Sequence, residues 1–375
     1  IHAKIDSIDE KEAEPMEADI YIDASSSMKG YFISDRPDFS GQLANLVGMY
    51  PNKKVYFVGE SKPHEGMVTN LISDLRNQPN ENVSNFDVLL AHMRRMTEAS
   101  PGKLTLLVTD GIMSVGKTTP KALQELGYAV RDSLRGFNGA IAILQFESEF
   151  LSNMNYKPDP KANPKRVCYW TRDDTPKEVS VEKRPYYVIA VGMKDNIRAL
   201  RKNKLAAKQE IFFGIHDRAG HKNNTQAEDS TCTLQDISAP VVLNATLPEC
   251  ITALGKDYIE KNAEVYMNGS LVPAKAYGNK VIDVDGSLNI TISQDALTGQ
   301  PLTSDPTTGR VGFTVKVRNE LPGAWVDLNS DDDSNIEGDT FQQVRTYGLL
   351  TLLKGIKAAL DADDYLTEIH FEFSK

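Results

Sequence analysis

The stretch Asp23-Ala-Ser25-Ser-Ser27 carries a carboxylate followed by two hydroxyls at i+2 and i+4. On a turn just past the end of a strand, that spacing can aim three oxygens at one centre. Hard oxygen donors of this kind suit Mg²⁺ or Mn²⁺ rather than zinc or copper. Two further loops carry matching chemistry: Thr109-Asp110-Gly111 holds a second carboxylate, and Asn82-Val-Ser84-Asn-Phe86 holds a hydroxyl just ahead of a helical pattern. The candidate metal ligands are therefore Asp23, Ser25, Ser27, Ser84 and Asp110, with Mg²⁺ as the implied cation and Mn²⁺ or Ca²⁺ as alternatives. Three hydroxyls and two carboxylates leave an octahedron incomplete. A cation held mainly by hydroxyls stays Lewis-acidic enough to accept an anionic ligand from outside. No histidine lies in these loops and the nearest general base is itself a ligand, so the layout favours binding over hydrolysis and no catalytic residue is expected. The plainer alternative is that Asp23, Ser25 and Ser27 only cap a turn or helix, as Asp and Ser often do.

For these loops to meet, several strands must end side by side. Apolar runs at Asp19–Asp23, Lys54–Val58, Lys103–Thr109, Ala140–Phe146, Tyr186–Val191 and Glu210–Phe213 read as strands, and Phe39–Met49, Phe86–Met96, Pro120–Leu134 and Asn196–Leu205 read as helices. Strands that are apolar throughout, alternating with helices, imply an α/β domain over 17–218: a doubly wound, mainly parallel sheet covered on both faces. Such a sheet gathers ligands outside the carboxyl ends of its strands. Lys157–Pro185, rich in Pro, Lys and Asp, reads as a loop or hairpin inserted between two strands. Residues 1–16 are charged and poor in apolar side chains, a linker or tail. Beyond the polar connector Gly220–Ser230, residues 236–330 show period-two runs at Ala263–Met267, Leu288–Ile292 and Gly312–Val317, broken by turn signals such as Met267-Asn-Gly-Ser270. They predict a β-sandwich-like, β-rich module. Residues 340–375 combine one long helical pattern, Phe341–Leu360, with a terminal strand, Thr367–Phe373.

Asp-x-Ser-x-Ser after the first strand, a hydroxyl before a middle helix and Thr-Asp-Gly after a later strand resemble the von Willebrand factor type A (vWA) domain, over roughly residues 17–216. The resemblance implies a Rossmann-like fold with a metal-ion-dependent adhesion site (MIDAS). Ser25 and Ser27 would bind the cation directly, Asp23 and Asp110 directly or through water, and Ser84 would take the family's threonine position. Ser26 stands where that family commonly has glycine. The implied activity is adhesion or scaffolding without catalysis, with a partner protein supplying the Asp or Glu that completes the coordination.

Other patterns compete. Gly111-Ile-Met-Ser-Val-Gly116-Lys117-Thr118 satisfies the phosphate-loop pattern GxxxxGK[ST], which makes a nucleotide-binding protein, and with it a nucleotide hydrolase, the alternative reading. Against it, Pro120 falls in the first turn of the next helix and Asp110 adds negative charge where phosphates would collect. A haloacid-dehalogenase-type phosphohydrolase would need an acid two residues after Asp23, where Ser25 stands. The acidic loop from Asp327 fails as an EF-hand, because Asp332 and Gly338 occupy the positions that require Gly and Glu. Cys168, Cys232 and Cys250 lack metal-site spacing; Cys232 and Cys250 are near enough in sequence to bridge.

The chain of 375 residues has 42 Lys and Arg against 52 Asp and Glu, a net charge of −10. That balance argues against nucleic-acid binding, which needs clustered cations to displace counterions from phosphates. No apolar run nears the ~20 residues that span a bilayer. The charged stretch Asp6–Glu17 resembles a linker behind a processed leader, which favours the cell envelope or exterior over the cytoplasm.

Overall fold

The computed structural model describes residues 17–33, 37–58, 64–66, 71–77, 85–113, 119–157, 161, 163–202, 205–215, 241–247, 249–252, 255–274, 277–282, 287–292 and 310–374. Contacts divide the chain into two compact units that do not follow its order. The first joins Ile1–Ile215 to Ala324–Asp361, and the second joins His216–Gly323 to Ala362–Lys375. The helix and strand of residues 340–375 thus part company, one to each unit.

In the first unit the strands are β1 (Glu17–Asp23), β2 (Lys53–Val58), β3 (His64–Glu65), β4 (Lys103–Thr109) and β5 (Ala140–Leu151). Two small antiparallel pairs follow, β6 (Asn153–Tyr156) with β7 (Lys165–Val167) and β8 (Tyr169–Trp170) with β9 (Pro176–Lys177), and then β10 (Ser180–Gly192) and β11 (Gln209–Phe213). Seven of these form one sheet in the order β11-β5-β10-β4-β1-β2-β3. Parallel pairing is confined to β4-β1-β2. The pairs β10–β4, β10–β5, β11–β5 and β2–β3 are antiparallel, so the sheet is mixed where a mainly parallel one is expected from the sequence. The physical reason is burial: strands covered on both faces are apolar throughout whichever way they run, so composition carries no direction. The inserted stretch after β5 returns the chain as β10, which enters the sheet between β4 and β5.

Helices cover both faces. On β1 and β4, Ala18, Ile20, Ile22, Leu104, Leu106 and Val108 face one way and join a core with Tyr31, Phe39, Leu71 and Ile197. These come from α1 (Lys29–Phe32), α2 (Pro37–Gly48), α3 (Leu71–Asn77) and α6 (Lys194–Lys202). Period-two alternation turns Asp19, Tyr21 and Asp23 to the opposite face, where Tyr21 Oη lies 3.0 Å from His92 Nε2 on α4 (Phe86–Ala99). That face also receives α5 (Pro120–Leu134) and the helix Leu349–Leu360.

The long helical pattern Phe341–Leu360 is broken in the structure. A short helix, Thr340–Gln343, is followed by Thr346–Tyr347, which pairs in parallel with Asn329–Ser330, and only then by Leu349–Leu360. Gly348, at φ +72°, makes the break: its left-handed backbone favours glycine, and a Cβ there would lie 2.8 Å from Met113 Cβ. The second helix rests on α5 through facing glycines. A Cβ on Gly355 would stand 2.8 Å from the Gly127 carbonyl oxygen, a backbone atom that cannot swing aside. Gly355→Ala is therefore expected to wedge the helices apart and cost about 1–3 kcal/mol, read as a lowered urea midpoint; an unchanged midpoint would show that the contact is not rigid.

The second unit holds two antiparallel sheets on one core. Val241–Thr246, Ser287–Ile292 and Tyr277–Ile282 form the first, in that order. Ser270–Leu271, Ala263–Met267, Arg310–Arg318 and Tyr365–Ser374 form the second. Leu243, Leu288 and Ile290 from one sheet and Val265, Phe313, Val315 and Ile369 from the other share that core. The Asn268-Gly269 turn, with φ +47° and +82°, is the hairpin turn its residue types predict. Among the described residues no helix is long and apolar enough to cross a membrane.

Candidate metal centre

β1 and β4 run parallel and adjacent, with Ile22 beside Val108, so the residues that follow leave the sheet at the same edge. The result is a compact polar cluster. Asp23 Oδ1 accepts the Ser25 N–H at 2.8 Å and Asp23 Oδ2 accepts the Thr109 hydroxyl at 2.8 Å. Ser25 and Ser27 hydroxyls lie 3.0 Å apart on the turn that leads into the 3-10 segment Ser26–Met28. Asp110 Oδ1 accepts the Ile112 N–H at 3.2 Å. Asp23 and Asp110 are 1% and 3% exposed, so two carboxylates share a site nearly closed to water.

Electrostatics make that arrangement costly without a counter-charge. Burial first and the neighbouring Asp23 second push the Asp110 carboxyl up to about 6. The nearby Ser27 hydroxyl, the Ile112 N–H and the Arg184 guanidinium pull the other way and do not prevail. Asp110 Oδ2 is buried and makes no hydrogen bond among the described residues. An orphaned carboxylate oxygen beside a second carboxylate and two hydroxyls fits a hard divalent cation. Asp23, Ser25, Ser27 and Asp110 would hold it. Among the described residues no three His, Cys, Asp or Glu side chains gather around one point, so hydroxyls and water must complete any such shell. Ser84, the fifth candidate, lies outside the described residues.

Three further residues shape the site. Thr109 orients Asp23 through its hydroxyl and receives the Gly111 N–H at 3.2 Å, fixing the turn that follows. Gly111 has φ +72° and a Cβ there would come within 2.8 Å of the Tyr187 ring, so the turn requires glycine. Arg184, 1% exposed, lies 4.6 Å from the Tyr169 ring centroid and 5.5 Å from that of Phe150, and gives hydrogen bonds to the carbonyls of Gln343 and Arg345. For Thr109 a signal exists only once the strand register is known; for Gly111 the Thr-Asp-Gly motif carries it; for Arg184 there is none. No family model, curated protein or solved structure matches this chain.

The competing patterns fare differently. Of the phosphate-loop pattern only Gly111–Met113 is described, and residues 114–118 lie outside the described residues. The helix behind it starts at Pro120, with the Thr119 hydroxyl accepting the Ala122 N–H at 3.1 Å, so a side chain caps the helix end where a phosphate would sit. In the acidic loop, Asp333 is buried and accepts the Tyr169 hydroxyl and the Arg172 N–H, while Asp332 accepts the Ser334 N–H and pairs with Arg172. These carboxylates fasten the 324–361 segment to β8 and the turn after it. Cys168 is a free, buried thiol, raised to about 11 chiefly by burial. Cys232 and the Cys250 side chain lie outside the described residues.

Proposed function

We propose that this chain is a vWA-like protein that binds a divalent cation at a MIDAS-type site, and through it an acidic side chain of a partner protein. The observation that carries the reading is the buried Asp110 Oδ2, left without a hydrogen bond next to Asp23 and two hydroxyls. The parallel β4-β1-β2 segment supports it by delivering two of the three proposed ligand loops to one edge. The antiparallel β10 between β4 and β5 is a departure from a doubly wound order, and it lies beyond the strands that carry the ligands. Mg²⁺ or Mn²⁺ supplies an open coordination position; the side chains hold the ion and keep the carboxylates apart.

Mn²⁺ makes the proposal measurable. Titration should show one saturable site, lost on Ser25→Ala or on chelation. Water-proton relaxation at the bound ion should then fall when a short peptide containing Asp is added, as its carboxylate displaces bound water. The matching Asn peptide should have no effect. Absence of saturable Mn²⁺ binding sinks the cation site, and equal effects of the two peptides sink acidic-partner recognition.

A further inference from the structure

The contact between α5 and the helix Leu349–Leu360 does more than pack. The helices touch where Gly127 meets Thr351 and Gly355, and above that line their side chains part around a cavity of about 510 Å³. That volume lies in the range of sites for small organic molecules. Its walls are mainly apolar, with Leu123, Ala358 and the ring of Tyr128 among them. Tyr128 is 50% exposed, and its ring is held from one side by the Arg131 guanidinium, 5.2 Å from the ring centroid. A large aromatic face kept open to solvent in an apolar groove is a stacking platform.

The charges around the groove are unequal: Arg131, Arg172 and Lys354 line it against Asp331 alone. Arg131 is compensated by Asp132, and Arg172 by Asp332 and the Asp331 carbonyl. The Lys354 ammonium has no partner among the described residues. We propose that this groove binds a small organic anion with a flat apolar body. The body stacks on Tyr128 and fills the space between the helices, and the anionic group meets the Lys354 ammonium. The inference is independent of the cation site.

The probe pair is 1-anilinonaphthalene-8-sulfonate and N-phenyl-1-naphthylamine, which share a fluorescent aromatic body and differ in the sulfonate. The full chain should bind the sulfonate at a single saturable site and the neutral dye at least tenfold more weakly. Lys354→Glu should weaken the sulfonate at least tenfold while leaving the urea midpoint unchanged, because the side chain is exposed and unpaired. Ala358→Trp, which fills one bank of the groove, should abolish binding of both dyes. Equal affinity for the two dyes overturns the proposal, as does non-saturating fluorescence or sulfonate binding that both substitutions leave intact.

Discussion

Asp110→Asn is expected to abolish cation binding and, in the same protein, to raise the stability of the metal-free form. The two effects share one origin. In the folded chain the Asp110 carboxyl titrates at about 6, against 3.8 for an unperturbed group, because it is buried beside Asp23. A raised acid binds more protons folded than unfolded, so the metal-free protein loses stability as pH climbs from about 4 to 6 and stays level above. The charged, metal-free form therefore carries a stability deficit at neutral pH. The near-isosteric amide removes the charge and with it most of that deficit. Urea midpoints at pH 5 and pH 7.5, with and without Mn²⁺, separate the terms. Wild type should be stabilised by Mn²⁺ strongly at pH 7.5 and weakly at pH 5, since protons compete for the same carboxylate, with affinity changing about tenfold per unit below 6. The variant should show no Mn²⁺ effect at either pH and a higher metal-free midpoint at pH 7.5. A variant less stable than wild type without metal at pH 7.5 would mean that the Asp110 charge is already neutralised by the protein, and that no cation is needed.

Arg184→Met is expected to cost the first unit about 3 kcal/mol or more of stability. Arg184 is buried, stacks against two aromatic rings and satisfies the carbonyls of Gln343 and Arg345. Methionine replaces the packing volume and none of the donors, leaving both carbonyls without these bonds. Arg184→Lys should recover less than half of the loss, because an ammonium is a point donor that neither forks between two acceptors nor stacks as a plane. Equilibrium urea unfolding with an unchanged slope measures both. A loss below about 1 kcal/mol for Met would show that the 324–361 segment is held by its other contacts, such as those of Asp333.

What the sequence reveals of this protein tracks how local the governing physics is. The Asp23–Ser27 turn and the Thr109-Asp110-Gly111 turn are legible because each is a short motif, and their meeting follows from two neighbouring parallel strands. The helix Pro120–Leu134 is legible to its ends because Thr119 and Pro120 are local start signals. Strand direction is not legible: β10 is apolar through Tyr186–Val191 and would look the same running either way. The break before Leu349 depends on the close approach of Met113 to Gly348, a contact between residues far apart in sequence. Arg184 sits in the charged run Glu182-Lys-Arg184, where it reads as an ordinary surface residue, and only the tertiary fold shows it buried.

The chain passes between its two units three times, at residues 215/216, 323/324 and 361/362. A ribosome delivers residues in order, so β1–β11 emerge well before the carbonyls that receive the Arg184 donors and before the helix that covers α5. At ordinary elongation rates the wait is roughly 6–30 s. Throughout it, the nascent first unit shows to solvent the α5 surface around Val130, which meets Gly355 in the finished fold. Synthesis is then the stage at which this surface stands open, and fragments cut after residue 215, which lack the helix Leu349–Leu360, keep it uncovered.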